Sequence, residues 1–126
     1  MVYMKRSPKV YDSGVIIVEG RFSLAGAGDP TAIQGKGIKS IVHTSTGLYT
    51  VTLDRPYAKL ISATATLGLH SPADDMAQIG KCLVSGATPT IQIATLVGAS
   101  VGDISADGYD DAAVNFVFVL REHNAP

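Results

Sequence analysis

The stretch KSIVHTSTGLYTVTLDRPYAKLISATATLGL, residues 39 to 69, carries the clearest two-residue alternation in the chain. Tyr49, Val51 and Leu53 alternate with Thr50 and Thr52. After the break Asp54-Arg55-Pro56-Tyr57, Ile61, Ala63, Ala65 and Leu67 alternate with Ser62, Thr64 and Thr66. A period of two, apolar on one face and hydroxyl-bearing on the other, is the pattern of a half-buried strand. Threonine is β-branched and suits a pleated surface that water still reaches. The stretch reads as an antiparallel hairpin: residues 39 to 44 enter, Ser45-Thr46-Gly47 turns, and residues 48 to 53 return. Gly47 is the residue able to take the left-handed conformation of such a turn. Residues 58 to 69 follow as the longest strand. This register places Tyr49, Val51, Ile61 and Leu67 in the core and turns Thr50, Thr52, Thr64 and Thr66 outward.

Working outward toward the N-terminus, residues 25 to 37 (AGAGDPTAIQGKG) read as a long surface loop, with four glycines and Asp29-Pro30. No Gly-Lys-Ser/Thr ending is present and no helix follows, which excludes a phosphate loop. Residues 14 to 24 (GVIIVEGRFSL) read as a strand with Ile16, Val18, Phe22 and Leu24 on one face beside Gly20. Val15, Ile17, Glu19, Arg21 and Ser23 occupy its other face. Residues 1 to 13 (MVYMKRSPKVYDS) have no period and read as an extended arm, either a frayed tail or a segment that docks on a neighbouring chain by burying Tyr3, Val10 and Tyr11.

Toward the C-terminus, Pro72 breaks the pattern, and residues 74 to 77 allow a short helical turn. Residues 79 to 85 and 90 to 97 read as two strands, and residues 98 to 111 as a second long loop. Residues 112 to 121 (AAVNFVFVLR) put Val114, Phe116, Phe118 and Leu120 on one face and Asn115, Val117, Val119 and Arg121 on the other. A strand apolar on nearly both faces is central in its sheet or covered by a partner. About seven strands with no helical period predict an all-β domain. It is an antiparallel β-sandwich or a jelly-roll-like barrel over residues 14 to 126, preceded by the arm.

At 126 residues the chain is one domain, large enough to bury a core without staples. Its one cysteine, Cys82, excludes an internal disulfide. A net charge of −1 argues against electrostatic nucleic-acid binding. No apolar run reaches the roughly 20 residues of a membrane span, and no signal-peptide pattern follows Lys5 and Arg6. Charged residues make up 17% and hydrophobic ones 46%, against about 25% charged in an average domain. So little charge leaves surface for a partner, or for further copies of the chain, to cover.

Candidate chemistry is sparse. His43, His70 and His123 lack thiols or carboxylates at ligand spacing, so no structural zinc site is expected. Cys82 beside Leu83 and Val84 reads as a small hydrophobe rather than a nucleophile. The acidic segment 103 to 111 (DISADGYDD) imitates the first half of a calcium loop, but Val114 stands where a closing Glu belongs. It reads as a solubilising lead into the last strand, with an oxygen-ligand metal site as the alternative. No base is paired with an oriented nucleophile, so neither an enzyme nor a bound cofactor is expected.

The segments TSTGLYTVTLDRPYAKLISATATL and DISADGYDDAAVNFVFVLR resemble small structural proteins of tailed-bacteriophage virions. The matching residues are Thr46, Gly47, Tyr49, Thr50, Val51, Thr52 and Leu53, then Val114, Phe116, Val117, Val119, Leu120 and Arg121. Within that class the chain looks most like a capsid decoration, or cement, protein. The resemblance implies a virion protein made in the host bacterial cytoplasm, bound to the outside of the head, with itself (a homotrimer) and the major capsid protein as partners. The arm has no counterpart in the resemblance. By composition it offers Tyr3, Lys5, Arg6, Lys9 and Tyr11 for contact with a capsid or other partner. The alternatives are a tail or fibre module that binds a host receptor and a small ligand-binding β-barrel. The first would want a fibrous stem and the second an aromatic-lined cavity, and neither is visible.

Overall fold

The computed structural model describes residues 14 to 68, 75 to 104 and 112 to 122, and the arm therefore lies outside the described residues. Nine strands run in chain order: β1 Val15–Ser23, β2 Thr31–Gly35, β3 Ile38–Ser45, β4 Leu48–Leu53, β5 Lys59–Gly68, β6 Met76–Leu83, β7 Thr90–Val97, β8 Ser100–Val101 and β9 Ala113–Arg121. They form two antiparallel sheets packed as a sandwich. The first has the order β2-β1-β9-β5, and the second β3-β4-β7-β6 with β8 added to β7.

The core is the alternation of the sequence made solid. Val18, Phe22 and Leu24 from β1 and its exit meet Val114, Phe116, Phe118 and Leu120 from β9, all buried. Facing them from the second sheet are Ile41, Tyr49, Val51, Leu53, Ile91 and Ile93. Phe22 bridges the layers, its ring 5.2 Å from that of Tyr49 and 6.2 Å from that of Phe116. Burying each such side chain contributes about 1.5–3 kcal/mol. The apolar second face of β9 has its explanation in position: β9 is central, paired with β1 on one side and β5 on the other.

The hairpin of residues 39 to 53 is β3 and β4, and the long strand that follows, β5, crosses to the other sheet and pairs with β9. Three expectations need correction. Ile61 is not core but 44% exposed. A bulge between Leu60 and Ser62 inserts it as an extra residue, and Leu60 takes the inward place. The downstream register then runs as expected, with Ala63, Ala65 and Leu67 packed inward and Thr64 and Thr66 exposed. The two long loops each hold a strand. β2 pairs with β1 through Gly20↔Gly35, Arg21↔Gln34 and Ser23↔Thr31, and β8 pairs with the end of β7. Finally, Met76 and Ala77 open β6 rather than a helical turn, because they pair with Leu96 and Thr95.

Candidate functional site

At one end of the sandwich three separate segments converge on His43. β3 alternates inward at Ile41 and His43, and the ladder sets His43 opposite Tyr49 on β4. Their rings meet edge to face at 5.3 Å. The hairpin turn follows at once, with Gly47 at φ +67°. A Cβ there would sit 2.6 Å from the Gly102 nitrogen and 2.7 Å from Val101 Cγ1, so the turn packs directly beneath the chain leaving β8. Only glycine satisfies both the dihedral and the space.

That chain carries Asp103, whose Oδ1 is the hub. It accepts a hydrogen bond from the Gly47 amide at 2.6 Å and lies 2.7 Å from His43 Nε2. A carboxylate only accepts, so the ring proton between them belongs to Nε2. From the other side, Asp29 Oδ1 accepts from the His43 backbone amide at 2.9 Å. Backbone bonds close the ring of contacts. Thr95 N donates to Gly47 O at 2.8 Å, Gly102 N donates to Thr95 O at 3.0 Å, and Thr95 Oγ1 donates to Gly102 O at 2.8 Å. The buried Thr95 is thereby satisfied.

The electrostatics follow from these partners. The Gly47 amide first, and His43 second, hold the Asp103 carboxyl below its ordinary range. The Tyr49 phenol is pushed up to about 12, chiefly by burial and then by the nearby Asp103 charge. Its hydroxyl is buried and has no hydrogen-bond partner among the described residues.

Chemically, a histidine held by an aspartate is half of a nucleophile-activating arrangement. Here, however, the Asp103 oxygen also caps a turn amide, and the histidine's backbone anchors a loop. The cluster behaves as a clasp that fixes the turn after β3, the loop after β1 and the exit of β8 to one another. Among the described residues, no three His, Cys, Asp or Glu side chains converge as a metal ion would require. Sequence reasoning set His43 and Asp103 apart, one as an unpartnered histidine and the other as the start of an acidic loop. They stand 60 positions apart, so no local spacing could have joined them.

The remaining sequence candidates separate. Ile104 is buried in the core, while residues 105 to 111 lie outside the described residues, as do His70, His123, Tyr3, Lys5, Arg6, Lys9 and Tyr11. Cys82 on β6 is partly buried against the core, donates weakly to Gly80 O at 3.5 Å, and has its thiol pKa raised by burial. That shift opposes nucleophile character. Among the described residues no helix is long and apolar enough to cross a membrane.

A second candidate surface is the outer face of the first sheet. The ladder aligns Ile17 with Val119 and Ser62, and Glu19 with Val117 and Thr64. Val117 is 39% exposed at the middle of this face, beside small hydroxyl side chains. No protein-family model matches the chain, and no curated protein or solved structure matches it.

Proposed function

We propose that this chain is a non-enzymatic structural protein of a tailed-phage virion, binding the outside of the capsid as a decoration protein. The observation that carries the reading is the outer face of the first sheet. Ile17, Val117 and Val119 lie side by side on a pleated surface, with Ser62, Thr64 and Thr66 along one flank. Glu19 stands opposite Val117, with Arg21 and Arg121 toward the two ends, so the face mixes apolar, hydroxyl and charged groups and suits lateral contact with protein rather than capture of a small molecule in a concave pocket. The resemblance of the β3–β4 hairpin and of β9 to virion proteins supplies the class of partner. A clasped sandwich end is also in keeping with a protein whose task is to stay folded on a lattice.

In this reading copies assemble, most simply as a trimer, and settle on capsid subunits that are already fixed. Each added contact then acts at high effective concentration. The arm, with Tyr3, Lys5, Arg6, Lys9 and Tyr11, reaches the capsid surface, its cations steering it and its tyrosines burying area. Immunogold labelling of purified virions is the direct test. Gold spread over the head supports decoration, gold on the tail points to a receptor-binding module, and unlabelled virions overturn the reading. Deleting residues 1 to 12 should weaken loading onto undecorated capsids at least tenfold, about 1.4 kcal/mol.

A further inference from the structure

The two sheets differ on their outer faces. On the first, Glu19, Arg21 and Arg121 stand among the apolar residues. On the second, the inward Ile41, Tyr49, Val51, Ile91 and Ile93 leave their alternates outside. The ladders set those outer residues in rows across the strands. Met76, Leu96 and Val101 form the first row, with Met76 49% and Val101 47% exposed. Gln78, Ala94 and Leu48 form the second. Gln92, Thr50 and Val42 form the third, and Val42 is 42% exposed. None of the nine carries a charge.

Charge gathers at the two margins of this sheet, and its sign is opposite at the two. Beside and beyond the third row come Lys36, Lys39, Arg55 and Lys81, with Asp54 among them. Arg55 also reaches Glu122 at 3.0 Å. Beyond the first row, Asp75 precedes Met76 and Asp103 follows Val101. Asp29 joins them, held at the end of β3 by the His43 amide. Among the described residues, no lysine or arginine lies at that acidic margin.

We propose that this face is the contact between two copies of the chain, packed face to face about a twofold axis lying across the strands near Gln78 and Ala94. The distribution of charge selects a second copy. A twofold axis across the strands reverses their direction, so the lysine margin of each copy lies over the aspartate margin of the other. On β6, Gln78 is three positions from both Asp75 and Lys81. An axis at Gln78 therefore sets Lys81 of one copy against Asp75 of its twin, twice over. Between the margins the uncharged rows meet their own image, and no charge has to be desolvated. The first sheet offers no such pairing, since Glu19 and Arg21 would be buried with it.

The area agrees with a modest dimer. Four strands about 4.8 Å apart and about eight residues long span roughly 500 Å² in projection. That is the larger part of the about 800 Å² per partner in a standard interface, and the charged margins add to it. Sheets that pack face to face stand about 10 Å apart, close enough for Met76, Leu96 and Val42 to interdigitate with the other copy. The contact does not rest on the capsid reading. It leaves the outer face of the first sheet free for another partner.

The test uses the full chain in solution, with no capsid present. Sedimentation velocity from about 1 μM to about 0.1 mM should show monomer passing to dimer. A monomer throughout, or a trimer, overturns the proposal. Met76→Glu and Lys81→Glu each change an exposed side chain, and each should raise the dissociation constant roughly tenfold or more. A dimer indifferent to both substitutions overturns the proposal. In a Cys82→Ser background, a short bismaleimide should join Gln78→Cys, near the axis, to its twin. Thr64→Cys, on the outer face of the first sheet, should stay unjoined. No joining at Gln78→Cys, or equal joining at the two sites, overturns the proposal. Should either glutamate variant fail to fold, the cross-linking pair decides the matter.

Discussion

Asp103 and Gly47 lie 56 positions apart, yet the carboxylate of one accepts the turn amide of the other at 2.6 Å. Through that bond, and through His43, the chain leaving β8 is tied to the hairpin that opens the second sheet. Removing the acceptor leaves a part-buried N–H without a partner. Asp103→Ala should cost about 1–3 kcal/mol in urea unfolding, while Asp103→Asn, which keeps an acceptor oxygen, should cost clearly less. Equal losses would show that charge alone matters there.

The same carboxyl gives the clasp a pH dependence of known sign. Its pKa in the fold lies below the ordinary 3.8, so its contribution is complete above that value and is lost as pH falls through the depressed one. Urea midpoints measured from about pH 5 down to about pH 2 should fall more steeply for the native chain than for Asp103→Asn. Parallel curves would count against the clasp.

Gly47→Ala tests the turn in a different way. It adds a methyl group against the Gly102 backbone and the Val101 side chain and forces a left-handed φ on a residue that disfavours it. A loss of about 1–3 kcal/mol is expected, with the hairpin amides the first to gain hydrogen exchange. A neutral result would mean that the β8 exit is not seated on the turn.

Tyr49 carries a buried hydroxyl with no partner among the described residues. Tyr49→Phe keeps the ring contacts with Phe22 and His43 and removes the unpaired group. Stability should be unchanged or slightly raised. A drop above about 1 kcal/mol would reveal a hydrogen bond made by that hydroxyl in solution.

The bulge in β5 predicts an inverted sensitivity at adjacent residues. Leu60→Ala should cost about 2 kcal/mol, whereas Ile61→Ser should stay within about 0.5 kcal/mol because the side chain is already exposed. The reverse order in thermal melts would place Ile61 in the core.

On β4 the alternation is strict. Val51→Asp buries an unpaired charge among Ile41, Ile91 and Phe residues and should unfold the domain. Thr52→Asp, at a partly exposed site, should cost well under half as much. Similar circular dichroism spectra and midpoints for the two variants would mean a register slipped by one.

Side-chain alternation along the chain is enough to set the long strands and the faces they bury. Leu48–Leu53, Val15–Ser23 and Ala113–Arg121 were legible because side-chain alternation is a local property with a period of two, and a doubly apolar strand has to be central. Tertiary structure alone decided the rest. Thr31–Gly35 looks like loop and becomes β2 because Gly20, Arg21 and Ser23 offer it an edge. Ile61 alternates correctly yet is squeezed out, since its strand must keep register with β9 on both sides of a bulge. The His43–Asp103 clasp joins residues that no spacing relates, and it exists only because the sheets bring one turn, one loop and one strand exit to the same end of the sandwich. Local chemistry chooses a strand's faces, but which strands meet is settled by long-range pairing that a period of two does not encode.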